Sequence, residues 1–292
     1  MRDARELLAA YLEQMRECGE EQVILDAALP SDAGPAEPLT PSEPQATAEQ
    51  PDPTSPPPQP TAVPPYRPTA PGRAGRKGKK DWRDGAPPIP GPGMAIAPPS
   101  SDLFSADPLA HCGLDEIAAR VRECAKCRLS GNRTNAVPGE GPSDAKLVVV
   151  GEGPGATEDE TGRPFVGRAG ELLTEILQAI DLPRERVFIC NVVKCRPPSN
   201  RKPLQDEIDA CVPYLYRQLE SIGPKVIVAM GGTAAETLLS SKRSLASLRN
   251  RVHSFRGMPL IVTYHPAALL RNPNWKKPAW DDIRIARQLV DH

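Results

Sequence analysis

Three short, almost unbroken apolar runs, at 146–150 (ending LVVV), 187–193 (VFICNVV) and 225–230 (ending VIVAM), constrain this chain more than any other feature. A strand without polar alternation has no face to offer water, so it belongs in a sheet covered on both sides, which in practice means a largely parallel one. The segments between the runs carry apolar residues at helical spacing, such as Leu172, Leu173, Ile176, Leu177 and Ile180, or Ile208, Cys211, Val212, Leu215 and Leu219. The pattern predicts helices at 113–124, 168–180, 204–221, 233–240 and 279–290, with further strands near 252–256 and 259–264. The expected fold class is α/β, a three-layer α/β/α sandwich around a central, mostly parallel four-stranded sheet.

In such sheets the working residues collect where the strands end at their carboxyl side. That rule selects Glu152 after the first run, Asn191, Lys194 and Cys195 at the end of the second, and His265 after the last strand. Glu152 sits in GEGPG (151–155), a glycine-rich turn of the kind that offers backbone N–H groups to an anion. A carboxylate there, with no phosphate-loop lysine following, argues against a nucleotide-binding loop. An acid, an amide and a histidine on one rim suit hydrolysis or the reading of a base. Each also has a plainer explanation: His265 as a satisfied core histidine, Asn191 as a turn cap, Phe165 as core, and Glu158, Asp159 and Glu160 as a solvated acidic loop.

Seven cysteines in a chain without a secretory signal core point to metal ligation or buried thiols rather than a disulfide framework. Cys124 and Cys127 form CAKC, Cys195 ends a strand, and Cys211 lies on the following helix, so a four-thiolate site is credible. Cys211 also falls in the apolar phase of its helix, which would make it a small core residue. Cys18, Cys112 and Cys190 read as nonligands. Spacing leaves Zn²⁺ and an iron–sulfur cluster equally open.

Residues 30–99 hold 21 of the 36 prolines, and a segment so poor in apolar surface cannot offset the entropy of ordering, roughly 1–2 kcal/mol per residue. The expected organisation is an amphipathic helix within 1–28, which docks another protein or rests on the main domain, a disordered linker at 29–106, and a folded domain at 107–292. The run RAGRKGKKDWR (73–83) in the linker is a solubilising patch or a loose DNA tether. No apolar stretch is long enough for a membrane span, and a cytoplasmic monomer is expected. Net charge is −1, yet 237–280 contains no acid and eight bases: Lys242, Arg243, Arg249, Arg251, Arg256, Arg271, Lys276 and Lys277. One-signed charge over that length predicts a polyanion-binding face.

Taken together, CAKC, KLVVVGEGPGATEDETGRPFVGRAGELL, NVVKCRPPSNRKPLQDEIDAC and HPAALLR resemble the family 4 uracil-DNA glycosylases, the iron–sulfur branch of that superfamily. The resemblance runs from about residue 112 to 290 and does not reach the N-terminal segments. It implies a [4Fe–4S] cluster on Cys124, Cys127, Cys195 and Cys211. It also implies a uracil pocket in which Phe165 stacks on the base, Asn191 reads its pyrimidine edge, Gly153 lies close by, and Glu152 and His265 are catalytic, His265 beside O2. Leu269, Leu270 and Arg271, in the segment that probes the minor groove, would contact the DNA. The implied activity is flipping of uracil out of DNA and hydrolysis of its N-glycosidic bond, as in base excision repair. A noncatalytic iron–sulfur DNA-binding module is the alternative, and a nucleotide-binding α/β protein with Zn²⁺ a third. The loop RPPSNRKPLQDE lacks the histidine through which a related branch bonds covalently to DNA, so turnover is expected.

Overall fold

The computed structural model describes residues 81–97 and 108–292, all within one unit of the chain. The amphipathic helix expected at 1–28, and the linker as far as residue 80 and at 98–106, lie outside these described residues.

The three apolar runs form β2 (Leu147–Gly151), β3 (Phe188–Asn191) and β4 (Val226–Met230), every residue of them buried. β5 (Val252–Phe255) and β6 (Met258–Thr263) form a hairpin across Arg256 and Gly257, whose φ values of 50° and 85° give the turn the twist that a two-residue hairpin needs. With β1 (Pro92–Ile96) the sheet has six strands among the described residues, in the order β1-β5-β6-β4-β2-β3, parallel except at β5–β6. It is thus mostly parallel as expected but has six strands rather than four.

Successive residues of β2 point to opposite faces. Val148 and Val150 join a core with α1 (Leu114–Glu123), α4 (Gln205–Ile222) and α5 (Gly232–Leu239). Leu147 and Val149 join a second core with α3 (Arg168–Ala179) and α8 (Lys276–Asp291) on the other face. Those two cores make the three layers. Shorter helices, α2 (Ala156–Thr161), α6 (Leu245–Leu248) and α7 (Pro266–Arg271), sit in the connections.

β1 corrects the linker boundary. Residues 81–97 fall in the proline-rich segment, yet Trp82 is buried, with the guanidinium groups of Arg83 and Arg287 4.5 and 5.0 Å from its ring centroid. Gln288 donates to the carbonyl of Pro87, and the Met94 N–H donates to Nδ1 of buried His253 at 2.9 Å. The average over seventy residues hid a short stretch with its own aromatic anchor and strand.

The register sets the working rim. Gly151 lies opposite Asn191, and Met230 opposite Thr263, so the chain leaves β2, β3, β4 and β6 at one level of the sheet.

Candidate active site

A cavity of about 600 Å³ opens on that rim, lined by Glu152, Gly153, Phe165, Asn191, His265 and Arg271 among others. The size is that of an ordinary small-molecule site. All five residues expected to bind uracil therefore share one cavity.

Asn191 is 1% exposed, and its Oδ1 is buried without a hydrogen-bond partner. Leaving such an acceptor unpaired costs about 1–3 kcal/mol, a cost a ligand N–H can remove. Gly151 makes the arrangement possible. A Cβ there would lie 2.4 Å from Asn191 Oδ1 and 2.5 Å from Phe165 Cζ.

Phe165 is held in the left-handed region, φ 51°, which a bulky residue adopts only when its surroundings enforce it. The enforcement comes from Arg184, which is buried and donates to the carbonyls of Pro164 and Phe165, the latter at 2.7 Å. Glu140 pairs with Arg184 at 3.7 Å and takes both forks of Arg163 at 2.7 Å. The Phe165 ring stands 5.4 Å from that of His265, tilted by 32°.

His265 caps the N-terminus of α7, its Nδ1 accepting from the Ala267 N–H at 3.2 Å. The neutral ring must then carry its proton on Nε2. Burial, reinforced by the nearby Arg271 charge, pulls its pKa down to about 4, so the ring is neutral at pH 7 and remains a donor.

Glu152 accepts from Thr233 Oγ1 at 2.5 Å. Thr233, buried in the first turn of α5, fixes the carboxylate from the end of a third strand. Sequence reading passed over Thr233 and Arg184, although the rim rule applied to β4 would have pointed at the GGT turn. Glu158 and Asp159 do not form a solvated loop. Glu158 accepts from the N–H groups of Gly155, Val166 and Gly167, bracing the two loops that carry Glu152 and Phe165. Asp159 is buried and accepts from the Thr134 N–H. Glu160 alone of the three is exposed.

Cys124, Cys127, Cys195 and Cys211 line a second cavity, with Arg133 and Lys194 on its walls. Arg133 donates to Cys195 Sγ at 3.0 Å, and the Lys194 N–H to Cys211 Sγ at 3.2 Å. Lys194 turns inward instead of onto the rim: its Nζ donates to the Asn191 carbonyl and to Gln218. It therefore ties the cysteine cavity to the base of the active site. Among the described residues no three His, Cys, Asp or Glu side chains are arranged to hold a single metal ion. Cys112 and Cys190 are buried elsewhere in the same core.

The outer surface amends two expectations. Leu269 is 2% exposed and packs inward, whereas Leu270 is 39% exposed beside exposed Arg271, so Leu270 is the leucine presented at the surface. α7 is a short helix whose inward face, three residues apart, carries Pro266 and Leu269. Of the eight bases, Arg249 is committed to buried Asp282 at 2.7 Å and Arg256 to Glu220. Lys242, Arg243, Arg251, Arg271, Lys276 and Lys277 stay exposed. Among the described residues no helix is long and apolar enough to cross a membrane.

The family model of the uracil DNA glycosylase superfamily matches residues 138–284, half of the chain, and the chain belongs to that superfamily. It is 47% identical over 181 residues to the Type-4 uracil-DNA glycosylase of Thermotoga maritima, covering 61% of this chain and 94% of the relative. With the Type-4 uracil-DNA glycosylase of Sulfurisphaera tokodaii it shares 48% over 186 residues, 61% of this chain and 84% of that one. A Type-5 uracil-DNA glycosylase of Pyrobaculum aerophilum is more distant, 29% identical over 188 residues, 53% and 83% of the two chains. Type 4 is the branch to which the resemblance is strongest of these three.

Proposed function

We propose that this protein is a DNA-repair hydrolase that excises uracil from DNA and leaves an abasic site. The observation that carries the reading at residue level is the buried, unpartnered Asn191 Oδ1 beside the Phe165 ring.

The target base is inaccessible within a duplex and must be flipped out, at a cost of a few kcal/mol. Leu270 is the wedge that fills the gap, and Arg271 with the other exposed bases holds backbone phosphates, so binding weakens as salt rises. In the cavity uracil stacks on Phe165. The Asn191 amide accepts from N3–H and donates to O4. Cytosine presents the reverse pattern and leaves both groups unpaired. Thymine adds only a methyl group, and the loop at Gly153 and Pro154, on the cavity wall, excludes it by contact.

As the N-glycosidic bond breaks, its electron pair goes to the base and negative charge collects on O2. His265 donates Nε2–H to that oxygen without having to lose or gain a proton. Glu152, fixed by Thr233, orients the attacking water and offsets positive charge on the sugar. Glu158 acts on the geometry of the loops and not on the substrate.

Four thiols line one cavity, and the Arg133 side chain donates to Cys195 Sγ there, a soft donor set that suits an iron–sulfur group. Cys124, Cys127, Cys195 and Cys211 would hold a [4Fe–4S] cluster, which when bound supplies iron–thiolate crosslinks between α1, the end of β3 and α4. Cys195→Ala is expected to lose iron and visible absorbance and to lower the unfolding temperature, measured by metal analysis and thermal melts. A wild type rich in zinc and colourless would overturn the cluster assignment.

The protein acts as a monomer in the cytoplasm, with DNA as its partner, and the N-terminal segments serve as a tether or docking arm. The test is incubation of the holoprotein with a uracil-containing oligonucleotide followed by alkali. Strand breakage at uracil is expected; breakage no greater than in a protein-free control would refute the activity and favour the binding-module alternative.

A further inference from the structure

Trp275 is an exposed indole at the mouth of the active-site cavity, 38% accessible, and the mechanism above makes no use of it. Its ring stacks on Tyr264, which also lines the cavity, with centroids 4.7 Å apart and planes 9° from parallel. The Arg249 guanidinium lies 4.5 Å from the centroid of Tyr264. Arg249 is itself anchored by Asp282, which also accepts from Thr263 Oγ1 at 2.8 Å. The Trp275 backbone is set by a short 3₁₀ turn, Pro273–Trp275, begun by proline and capped by the Asn272 side chain. A buried carboxylate, a guanidinium, a phenol and an indole thus form a braced column that ends at the cavity mouth. One face of the indole lies against Tyr264, and the residue as a whole is 38% accessible. Exposed Arg271, Lys276 and Lys277 flank it in the chain.

Packing alone does not account for this arrangement. An aromatic placed only to cover Tyr264 would gain more by turning inward, as Trp82 does. A braced, partly exposed aromatic ring with exposed basic neighbours in the chain is instead the kind of surface on which single-stranded nucleic acid stacks its bases.

We propose that Trp275 is a stacking platform for an unpaired nucleobase next to the flipped uracil, which gives the enzyme a subsite for single-stranded DNA. The inference rests on the uracil-DNA reading of the cavity. In duplex DNA the neighbouring base stays paired and stacked and does not reach the indole, so the subsite acts on single strands selectively.

The experiment compares wild type, Trp275→Ala and Trp275→Phe. Binding of a fluorescent single-stranded oligonucleotide that contains no uracil is measured by anisotropy. Uracil excision from single- and double-stranded substrates and its inhibition by free uracil are measured separately. Trp275→Ala is expected to weaken single-strand binding and to raise the single-strand KM about tenfold, within the range that loss of one base–aromatic stack produces. Its kcat, its duplex KM and its inhibition by free uracil should be unchanged. Trp275→Phe, which keeps a π face, should recover most of the binding. Equal single-strand affinity of Trp275→Ala and wild type would overturn the proposal, as would an equal loss on duplex DNA or weaker inhibition by free uracil, either of which would mean that the indole merely supports the pocket. Because binding is read on DNA without uracil, an enzyme that failed to excise uracil would refute the glycosylase reading and leave the stacking test standing.

Discussion

His265→Ala lowers single-turnover excision of uracil by about 10²–10³, the typical loss of an oxyanion donor, while affinity for uracil-free DNA stays the same. The expectation follows from the state of the ring. Its Nδ1 is engaged as an acceptor, and burial with the Arg271 charge brings its pKa down to about 4. The donor is therefore Nε2–H of a neutral imidazole, present throughout the neutral range. Wild-type activity should show no inflection where an ordinary histidine titrates, near pH 6.5. The same shift bears on stability. A histidine whose folded pKa lies below its unfolded value binds a proton more readily when unfolded. Its contribution is present above the unfolded pKa and is lost as pH falls toward the folded one. The fall in melting temperature on acidification should therefore be shallower in His265→Ala than in wild type. A single-turnover rate equal to wild type, or an inflection near pH 6.5 that the substitution removes, would show that the ring does not act as a neutral donor.

Gly151→Ala is expected to lose about 10²-fold in excision, the effect of displacing a positioning group by about 1 Å. The new methyl group would need the space between Asn191 Oδ1 and Phe165 Cζ, at 2.4 and 2.5 Å. Neither side chain yields readily. Asn191 lies within the sheet register opposite Gly151, and the Phe165 backbone is gripped by Arg184 on one side and by Gly170 on the other, where a Cβ would come 1.9 Å from its carbonyl oxygen. Overpacking of this kind also costs about 1–3 kcal/mol of stability, read as a lower melting temperature. Weakened inhibition by free uracil should accompany the loss, because the base pocket is what the methyl group invades. A Gly151→Ala protein with wild-type rate and wild-type uracil inhibition would show that the two side chains are not the reading pair.

The opening glycine of GEGPG is therefore needed for side-chain clearance across the sheet as much as for the turn. Its neighbour Glu152, out of place in a phosphate loop, is aimed by Thr233.

What could be read beforehand followed a physical division. The strands were legible because a doubly covered strand is a continuous apolar run, and the helices because one face of each is buried at regular spacing. β1 was hidden because its strand and Trp82 sit inside a segment whose proline content dominates any average. The rim residues Glu152, Asn191 and His265 could be placed from chain topology alone. The same rule reaches the GGT turn after β4 but not the bond from Thr233 to Glu152, 81 residues away, and it does not reach Arg184, which acts on Phe165 from 19 residues along the chain. Leu269 and Leu270 read alike in the sequence, because which of them packs inward is set by the short helix that carries both. The basic stretch was overcounted for a similar reason: Asp282 and Glu220, the partners of Arg249 and Arg256, both lie outside it.

The measurement that bears most directly on the account is single-turnover excision on three oligonucleotides identical except for uracil, cytosine or thymine at one position. A fixed amide that accepts from N3–H and donates to O4 predicts release of uracil alone. Release of cytosine at a comparable rate, or of none of the three, would contradict it.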